Sequence, residues 1–154
     1  VTEGAEKARV RASATLRDWE VVAEMRLLLE PFAAKISTPN IPQKDIDGLR
    51  CQLNEVLAHP ENVYAYMDSD RAVHHLLHAY SDSLILSETL STLKEHSARA
   101  RYYSSGADEQ VKQNTSLTAT KEHLAILDAL DSRDPEKVFG AVRQHMQSYI
   151  DRAY

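Results

Sequence analysis

Hydrophobic residues recur every three or four positions along most of this chain, which is the spacing that places them on one face of an α-helix. The first such segment runs from about Leu16 to Ser37, and the stretch from Ser37 to Asp45, which contains two prolines and several polar residues, predicts a loop. Each later segment is likewise bounded by a proline or a polar turn. The further predicted helices span about Gln43–Ala58, Glu61–Tyr80, Leu84–Ser104, Val111–Leu130 and Pro135–Tyr154.

These segments predict an all-α fold. No stretch of useful length alternates polar and apolar residues as a half-buried strand would. With only 4 glycines and 5 prolines in 154 residues, the chain also lacks the tight turns that join the strands of a sheet. Because short loops make successive helices antiparallel neighbours, we expect an antiparallel bundle of six or seven helices around a central metal or ligand pocket.

Charge and cysteine content narrow the possible functions. The chain has 18 Lys and Arg residues against 23 Asp and Glu residues, a net charge of −5 without a basic cluster, so this segment alone is not expected to bind nucleic acid. The single cysteine, Cys51, excludes an internal disulfide and is consistent with a reducing compartment, so we expect a cytoplasmic protein. No apolar run approaches the roughly 18 residues of a membrane span, and no membrane partner is expected.

A carboxylate and an imidazole fall on the apolar face of the third predicted helix. Asp70 and His74 are four residues apart, and the same face carries Tyr66, Val73 and Leu77. A buried carboxylate is costly unless a positive charge compensates it. Either a metal ion or a buried arginine would supply that charge.

Two more histidines occupy the inner faces of the last two helices. His123 and His145 are equally distant from residue 134, which lies in the turn between these helices. Each is 11 residues, or roughly 16 Å, from that turn, so the two imidazoles should face each other. Together with Asp70 and His74 they form a candidate metal site of three histidines and one aspartate. This set suits a divalent transition metal, zinc or nickel above others, and leaves positions for water or a ligand when coordination exceeds four.

The same residues have a simpler interpretation. An isolated histidine on a partly apolar face is more often a packed, hydrogen-bonded side chain than a ligand, and Asp70 alone could pair with an arginine. The convergence of four such positions favours the metal. His78, one turn beyond His74, is a further candidate for a ligand or a pocket-lining residue. The histidines expected to face away or to lie at the surface are His59, His75 and His96.

Four short motifs occur in order along nearly the whole chain from about Leu16. They are MRLLLEPFAA (Met25–Ala34), DRAVHHLL (Asp70–Leu77), EHLAILDALDSRD (Glu122–Asp134) and VRQHMQSY (Val142–Tyr149). Their order and spacing resemble the C-terminal effector-binding domain, the FCD domain, of GntR-type transcription regulators of the FadR subfamily. The first is similar to that family's Arg-x-x-Leu-Glu-x-x-Ala-Ala opening. The others are similar to its Asp-x-x-Phe-His segment, its Glu-His segment and its closing His-Met or His-Leu helix.

The resemblance implies a helical bundle that binds a metal through one aspartate and three histidines, here Asp70, His74, His123 and His145. In such domains the metal often helps to hold a small carboxylate effector. Arg26 matches an arginine at the mouth of the family's pocket. The predicted effector-binding residues are Arg26, His78, Asp82 and Arg101.

The chain departs from the family pattern at two places. Val73 replaces the usual Phe, which reshapes the core, and SDS (Ser81–Ser83) stands where the family commonly has Ser-Gly-Asn. Asp82 is therefore expected to change the polarity of the pocket or its choice of effector. The family also has an N-terminal winged helix-turn-helix domain, which this sequence does not contain. We expect residues 1–15 to be the remains of a linker and residues 16–154 to form the ligand-binding and dimerisation domain.

The leading hypothesis is a regulatory domain that is not an enzyme. The metal, with Arg26 and Arg101, would bind an anionic metabolite and thereby reposition DNA-binding domains attached before Leu16, so that DNA is contacted only through them. One alternative is a metal-dependent hydrolase or lyase, but Glu122 points roughly 100° away from His123 around its helix and no other general base is well placed. Another is a helical interaction module whose histidines merely pack.

The apolar surface of two helices predicts a homodimer. Leu27 and Leu28 on the first helix, and Leu84 to Leu86 on the fourth, extend the apolar residues beyond what one core face requires. Such an excess is typical of an interface between subunits. The family resemblance also implies a dimer.

Overall fold

The computed structural model describes the backbone of residues 3–103 and 108–153, and the side chains of residues 3–4, 17–97 and 108–152. These residues form six α-helices and one short 3₁₀ turn, Thr38–Asn40, and no strand occurs among them. The helices are α1 (Glu3–Ser37), α2 (Gln43–Ala58), α3 (Val63–Ala79), α4 (Leu84–Tyr103), α5 (Glu109–Asp131) and α6 (Pro135–Ala153). The predicted all-α fold is confirmed.

The first helix is longer than its apolar pattern predicts, since it begins at Glu3 and not near Leu16. The residues before Leu16 are rich in alanine and in charged side chains that favour helices, so the backbone continues as a helix without an apolar stripe. The helix also passes through Pro31 and ends at Ser37. The role of residues 1–15 as a linker stays a prediction.

Side-chain caps determine where two helices begin. The carboxamide oxygen of Asn62 accepts a hydrogen bond from the backbone N–H of Ala65 at 3.1 Å, at the start of α3. The carboxylate of Asp108 accepts one from the N–H of Val111 at 2.9 Å, at the start of α5. Each cap satisfies a backbone donor that has no partner within its helix. Both helices consequently begin within two residues of the predicted start.

A single arginine joins two turns at one end of the bundle. Arg133 lies in the turn between α5 and α6 with a φ of 55°. Its guanidinium donates to the carbonyl oxygens of Thr38 at 2.9 Å and Ile41 at 2.6 Å, and to the side chain of Gln43 at 3.1 Å. These bonds attach the α5–α6 turn to the connection between α1 and α2, and so hold the helical hairpin against α1.

The helices pack around one main apolar core, in which α1 has a central place. It packs against α3, α4 and α6, while α5 packs against α2 and α6 and also contacts α3. The largest apolar side chains that are almost fully buried are Ile41, Ile46, Leu53, Leu77, Ile126, Leu127, Leu130 and Met146. Charged and polar side chains in this interior are exceptions, and most of them gather in one place. None of the described helices has the length and apolar character that a membrane span requires.

Candidate metal centre

Three histidine side chains converge inside the bundle. Nε2 of His123 on α5 lies 3.2 Å from Nε2 of His145 on α6, as their equal distance from the connecting turn predicts. The ring of His74 on α3 lies 5.5 Å from each of the other two rings, measured between centroids. The three can offer one ligand atom each within 4.8 Å of one another, and all three are buried. The structure therefore brings together the three histidines that the sequence predicts.

Asp70, the predicted fourth ligand, adjoins this group. Its Oδ1 atom lies 3.4 Å from Nε2 of His74 and 3.6 Å from Nε2 of His123. Its Oδ2 atom accepts a hydrogen bond at 2.5 Å from Nζ of Lys94 on α4. Burial alone would raise the pKa of Asp70, but Lys94 and His74 hold it well below its usual value. Asp70 is thus an ionised carboxylate with one oxygen toward the histidines and the other toward an ammonium group.

Two glutamates orient two of the histidines. Oε1 of Glu30 on α1 lies 2.8 Å from Nδ1 of His74, and Oε1 of Glu122 on α5 lies 2.7 Å from Nδ1 of His145. An ionised carboxylate can only accept a hydrogen bond, so the Nδ1 atom of each histidine is the donor in these contacts. The Nε2 atom of His145 then faces His123, and that of His74 faces Asp70, at the centre of the cluster.

Both glutamates stay ionised because cations and histidine N–H groups surround them. Burial would raise the pKa of Glu30, yet the charge of Arg26 and the contact with His74 hold it well below its usual value. Burial likewise opposes ionisation of Glu122, but hydrogen bonds from His145 and Arg152 lower its pKa to about 2. The two acceptors that orient the histidines are therefore charged at neutral pH.

His123 differs from the other two histidines in having no orienting carboxylate. It is fully buried, and its Nδ1 atom has no hydrogen-bond partner. Burial lowers its pKa well below the usual value, and the neighbouring His145 lowers it further. Burial lowers the pKa of His145 as well. Both rings are thus neutral at physiological pH, which is the form that binds metals.

The atoms at the centre of the cluster fit a metal cation. Oδ1 of the ionised Asp70 and Nε2 of the neutral His145 present lone pairs to the cluster, and the Nε2 atoms of His74 and His123 lie within 3.6 Å of that Oδ1. Electron-rich atoms that converge in a buried place repel one another unless a positive charge lies among them. A bound transition metal is usually surrounded by histidine nitrogens and carboxylate oxygens. The second ring nitrogen of each such histidine usually bonds to a carboxylate or a carbonyl group.

Arg26 lies inside the bundle beside the cluster, although the resemblance places its counterpart at a pocket mouth. Its exposed fraction is 2%, and its Nε atom lies 3.3 Å from Oε2 of Glu30. The guanidinium also donates to Oγ of Ser97 at 3.0 Å and lies 5.3 Å from the ring centroid of Tyr149. Arg26 therefore connects α1 with α4 and α6 directly behind the orienting glutamate.

The other predicted effector-binding residues are dispersed. His78 is buried one turn from His74, and its Nδ1 atom lies 2.7 Å from Oγ of Ser87, outside the group of three histidines. Asp82 is exposed in the turn between α3 and α4, and no described hydrogen bond or ion pair joins it to the cluster. Its φ of 58° favours glycine, the residue that the family commonly has there. Arg101 belongs to α4, but its side chain lies outside the described residues.

Sequence reasoning missed three residues of this site, which are Glu30, Lys94 and Glu122. Glu30 follows Arg26 by four positions and shares its buried face, a signal equal to the one that singled out Asp70. Lys94 lies four residues after the apolar Leu90 on the inner side of α4. This spacing is a weaker indication of a buried charged residue than the one for Glu30. Glu122 points away from His123 around α5, as predicted, yet its carboxylate reaches across to α6. The three histidines expected at the surface, His59, His75 and His96, are all exposed.

Fold and site together define an all-α domain that encloses a cluster of histidines and carboxylates suited to a metal. The family model of the FCD domain matches residues 21–148 of the sequence. The chain belongs to the FCD domain family, and the resemblance drawn from its motifs is confirmed.

A solved structure has a similar fold. E. coli McbR/YncC is 18% identical in sequence with a TM-score of 0.71, over 88% of this chain and 63% of that chain. At this level of identity the likeness shows the fold. The chain thus spans 63% of the length of the solved structure that it matches. A comparison with curated proteins gave no significant match.

Proposed function

We propose that this domain holds a divalent transition metal and senses a small carboxylate metabolite on behalf of a transcription regulator. The metal would be bound by Asp70, His74, His123 and His145. The observation that carries the proposal is the convergence of three imidazole nitrogens and one carboxylate oxygen, with the Nδ1 atoms of His74 and His145 each held by a glutamate so that their Nε2 atoms face the cluster. Membership of the FCD family and the structural likeness to a GntR-family regulator support the regulatory role.

The path from this site to a DNA-binding domain would run through α1. This helix brings Arg26 and Glu30 to the cluster and extends back to Glu3. A bound metal would supply positive charge and open positions for an anion, with Arg26 and Arg101 as further predicted partners. Effector binding would then shift α1 and so move an N-terminal winged helix-turn-helix domain, which alone would contact DNA. The coupling free energy between the two sites would be about 1–3 kcal/mol, as is typical of such switches. A regulator of this kind would act in the cytoplasm.

Metal analysis of the purified domain tests the core of this proposal. Elemental analysis is expected to find zinc or nickel in stoichiometric amount, because the donor set accepts either ion. After treatment with a chelator, added zinc should raise the unfolding temperature, since an ion that binds only the folded state stabilises it. Absence of metal, together with an unfolding temperature that does not respond to zinc or nickel, would overturn the metal site.

Replacing Glu122 by glutamine is expected to lower zinc affinity by about 10–100-fold, the usual effect of losing a carboxylate that orients a ligating histidine. The amide keeps the size of the side chain but can present either an N–H₂ donor or a weaker acceptor to Nδ1 of His145. Competition with a chromophoric chelator measures the affinity. Glu109→Gln, an exposed change on the same helix, is the matched control and should leave zinc affinity as it is. Equal affinities in the two variants would contradict the orienting role.

Apolar side chains on the surface of α1 and α4 support a homodimer. Those of α1 follow one face of the helix, are each at least 38% exposed, and comprise Val21, Met25, Leu28 and Phe32. On α4, Leu84 and Ile85 are 76% and 77% exposed, and Phe32 and Ile85 line one groove, so the two helices form a continuous apolar surface. Leu27, which was also expected to contribute, is buried in the core. We propose that a second copy of the chain covers this surface.

Ile85→Glu is expected to convert the dimer to a monomer, because the change places a charge in an apolar interface. The dimer dissociation constant should rise by about a hundredfold or more, as measured by sedimentation equilibrium. Tyr64→Glu, on α3 and 80% exposed, is the control and should remain dimeric. A monomeric parent protein, or an Ile85→Glu protein that stays dimeric, would exclude this interface.

The family and the site both favour a regulatory domain over a metal-dependent enzyme. Among the described residues, the glutamates next to the histidines are already engaged. Glu30 pairs with Arg26 and contacts His74, and Glu122 contacts His145 and pairs with Arg152. Neither is placed to take a proton from a substrate or a bound water. We therefore propose that this domain binds its effector without converting it.

A further inference from the structure

Among the side chains that the structure describes, the charges beside the cluster balance when no metal is counted. Asp70 and Glu30 are paired with Lys94 at 2.5 Å and Arg26 at 3.3 Å respectively. Glu122, the other glutamate beside the cluster, is paired with Arg152 at 2.8 Å. A divalent metal adds two positive charges that these pairs leave uncompensated. Because the site is largely buried, such an excess of charge is costly, and a bound anion that neutralises it is favoured.

Lys94 is a partly exposed cation in direct contact with a predicted metal ligand, Asp70. Its side chain is 23% exposed, compared with 2% for Arg26, while Arg152 is 26% exposed but bonds to Glu122 and not to a predicted ligand. Arg26 is fixed by Glu30 and by a neighbouring serine, whereas a lysine ammonium lies on a flexible stem of four carbons. The two grooves described on the surface, between α2 and α3 and between α1 and α4, are lined by no residue of the cluster. We therefore place the ligand beside the cluster, on the side of α4.

Building on the proposed function, we propose that Lys94 makes this site select a dianionic effector, such as a dicarboxylate, over a monocarboxylate. One anionic end of the ligand faces the histidine cluster, and the other accepts a charge-assisted hydrogen bond from the ammonium of Lys94. A dianion neutralises the two charges that the metal adds. A monoanion neutralises only half of them.

Because Asp70 has two oxygens, Lys94 can bond to one of them while the other faces the histidines. Oδ1 faces His74 and His123, while Oδ2 bonds to Lys94. Lys94 can keep this bond when Oδ1 serves the metal. An ammonium has three N–H donors, so it can bind Oδ2 and a ligand carboxylate at the same time. Lys94 thereby directs a single oxygen of Asp70 to the metal and receives the far end of the ligand.

Calorimetric titration of the zinc-loaded domain with matched ligand pairs tests this assignment. Malonate, succinate and glutarate are each compared with their monoamide, which has nearly the same size and one negative charge fewer. The best dicarboxylate is expected to bind at least about tenfold more tightly than its monoamide. In Lys94→Met this preference should disappear. Zinc affinity is measured separately by chelator competition, and each protein is titrated with ligand at saturating zinc, so that a change in metal binding is not taken for a change in ligand preference.

Two further variants separate the charge of Lys94 from its packing. Lys94→Arg keeps the positive charge and should retain the preference for the dianion. Lys137→Met removes an exposed lysine from α6 and should behave as the parent protein. These comparisons do not depend on the methionine variant folding as well as the parent, because the arginine variant and the ligand pairs give an independent answer.

Each unfavourable outcome contradicts a definite part of the proposal. If the domain binds zinc but its monoamides bind as tightly as the dicarboxylates, or if no dicarboxylate binds at millimolar concentration, selection of a dianion is excluded. If the preference survives in Lys94→Met, the dianion is recognised by another residue and the role of Lys94 is excluded. If the parent protein does not bind zinc, the proposed function itself fails, and the charge argument fails with it.

Discussion

Replacing His123 by alanine is expected to remove nearly all the stabilisation that zinc gives to this domain. Its Nε2 atom lies 3.2 Å from that of His145 and 3.6 Å from Oδ1 of Asp70, so it is central to the set of proposed ligand atoms. An ion present at a thousand times its dissociation constant stabilises the folded state by about 4 kcal/mol. In His123→Ala, zinc should add only a small part of this stabilisation. Denaturant unfolding with and without zinc, after removal of bound metal, measures the difference.

The control for this experiment is a histidine that neighbours the site but lies outside it. His75→Ala changes an exposed side chain next to His74 and should leave the response to zinc intact. His123→Ala also removes packing from the core, so each variant is compared with itself, with and without the ion. A full response to zinc in His123→Ala would show that the metal does not bind at this cluster.

The helices could be predicted because each one buries a periodic apolar face, and such a face is a property of local sequence. Caps and turns also leave local signals, such as Asn62 before α3 and Pro135 at the start of α6. The start of α1 could not be found in this way, since its first residues form a helix without an apolar stripe. Leu27 and Leu28 show a second limit. They are adjacent and equally apolar, yet they are 7% and 67% exposed, and the neighbouring helices decide which one is buried.

The positions of the three histidines and Asp70 could be predicted from the same periodicity, because polar side chains on the inner faces of helices interrupt an apolar stripe. The equal distance of His123 and His145 from their turn even predicted that they meet. The partners behind them are harder to find. Glu122 reaches from α5 to His145 on α6, and Lys94 reaches from α4 to Asp70 on α3. Such contacts depend on the length of a side chain and on the packing of its neighbour, so periodicity within one helix does not reveal them.

Two residues of α1, Glu30 and Arg26, link this helix to the histidine cluster. Glu30 orients His74, and Arg26 neutralises Glu30 while donating to Ser97 on α4. A change at the cluster would therefore reach α1 through two buried charges. Because packed interiors change between discrete arrangements and do not deform smoothly, this pair is a suitable point for the proposed coupling between an effector and α1.

Arg26→Met is accordingly expected to lower the free energy of unfolding by about 3–5 kcal/mol, the usual cost of leaving one partner of a buried ion pair without compensation. Arg26 and Glu30 are only 2% and 4% exposed, so water cannot replace the lost partner. Denaturant unfolding of the metal-free domain measures the loss. A change below about 1 kcal/mol, the range of surface pairs, would contradict the structural role of this pair.

The double variant Arg26→Met, Glu30→Gln should recover most of that stability, because it removes the unpaired charge and keeps an acceptor for Nδ1 of His74. A double-mutant cycle with Glu30→Gln then gives the coupling energy between the two side chains. The recovered protein also distinguishes the two roles of Arg26. If Arg26 only neutralises Glu30, binding of a carboxylate to the zinc-loaded double variant should match that of the parent protein. If Arg26 also binds the effector, as the family resemblance implies, stability returns in the double variant while carboxylate affinity does not.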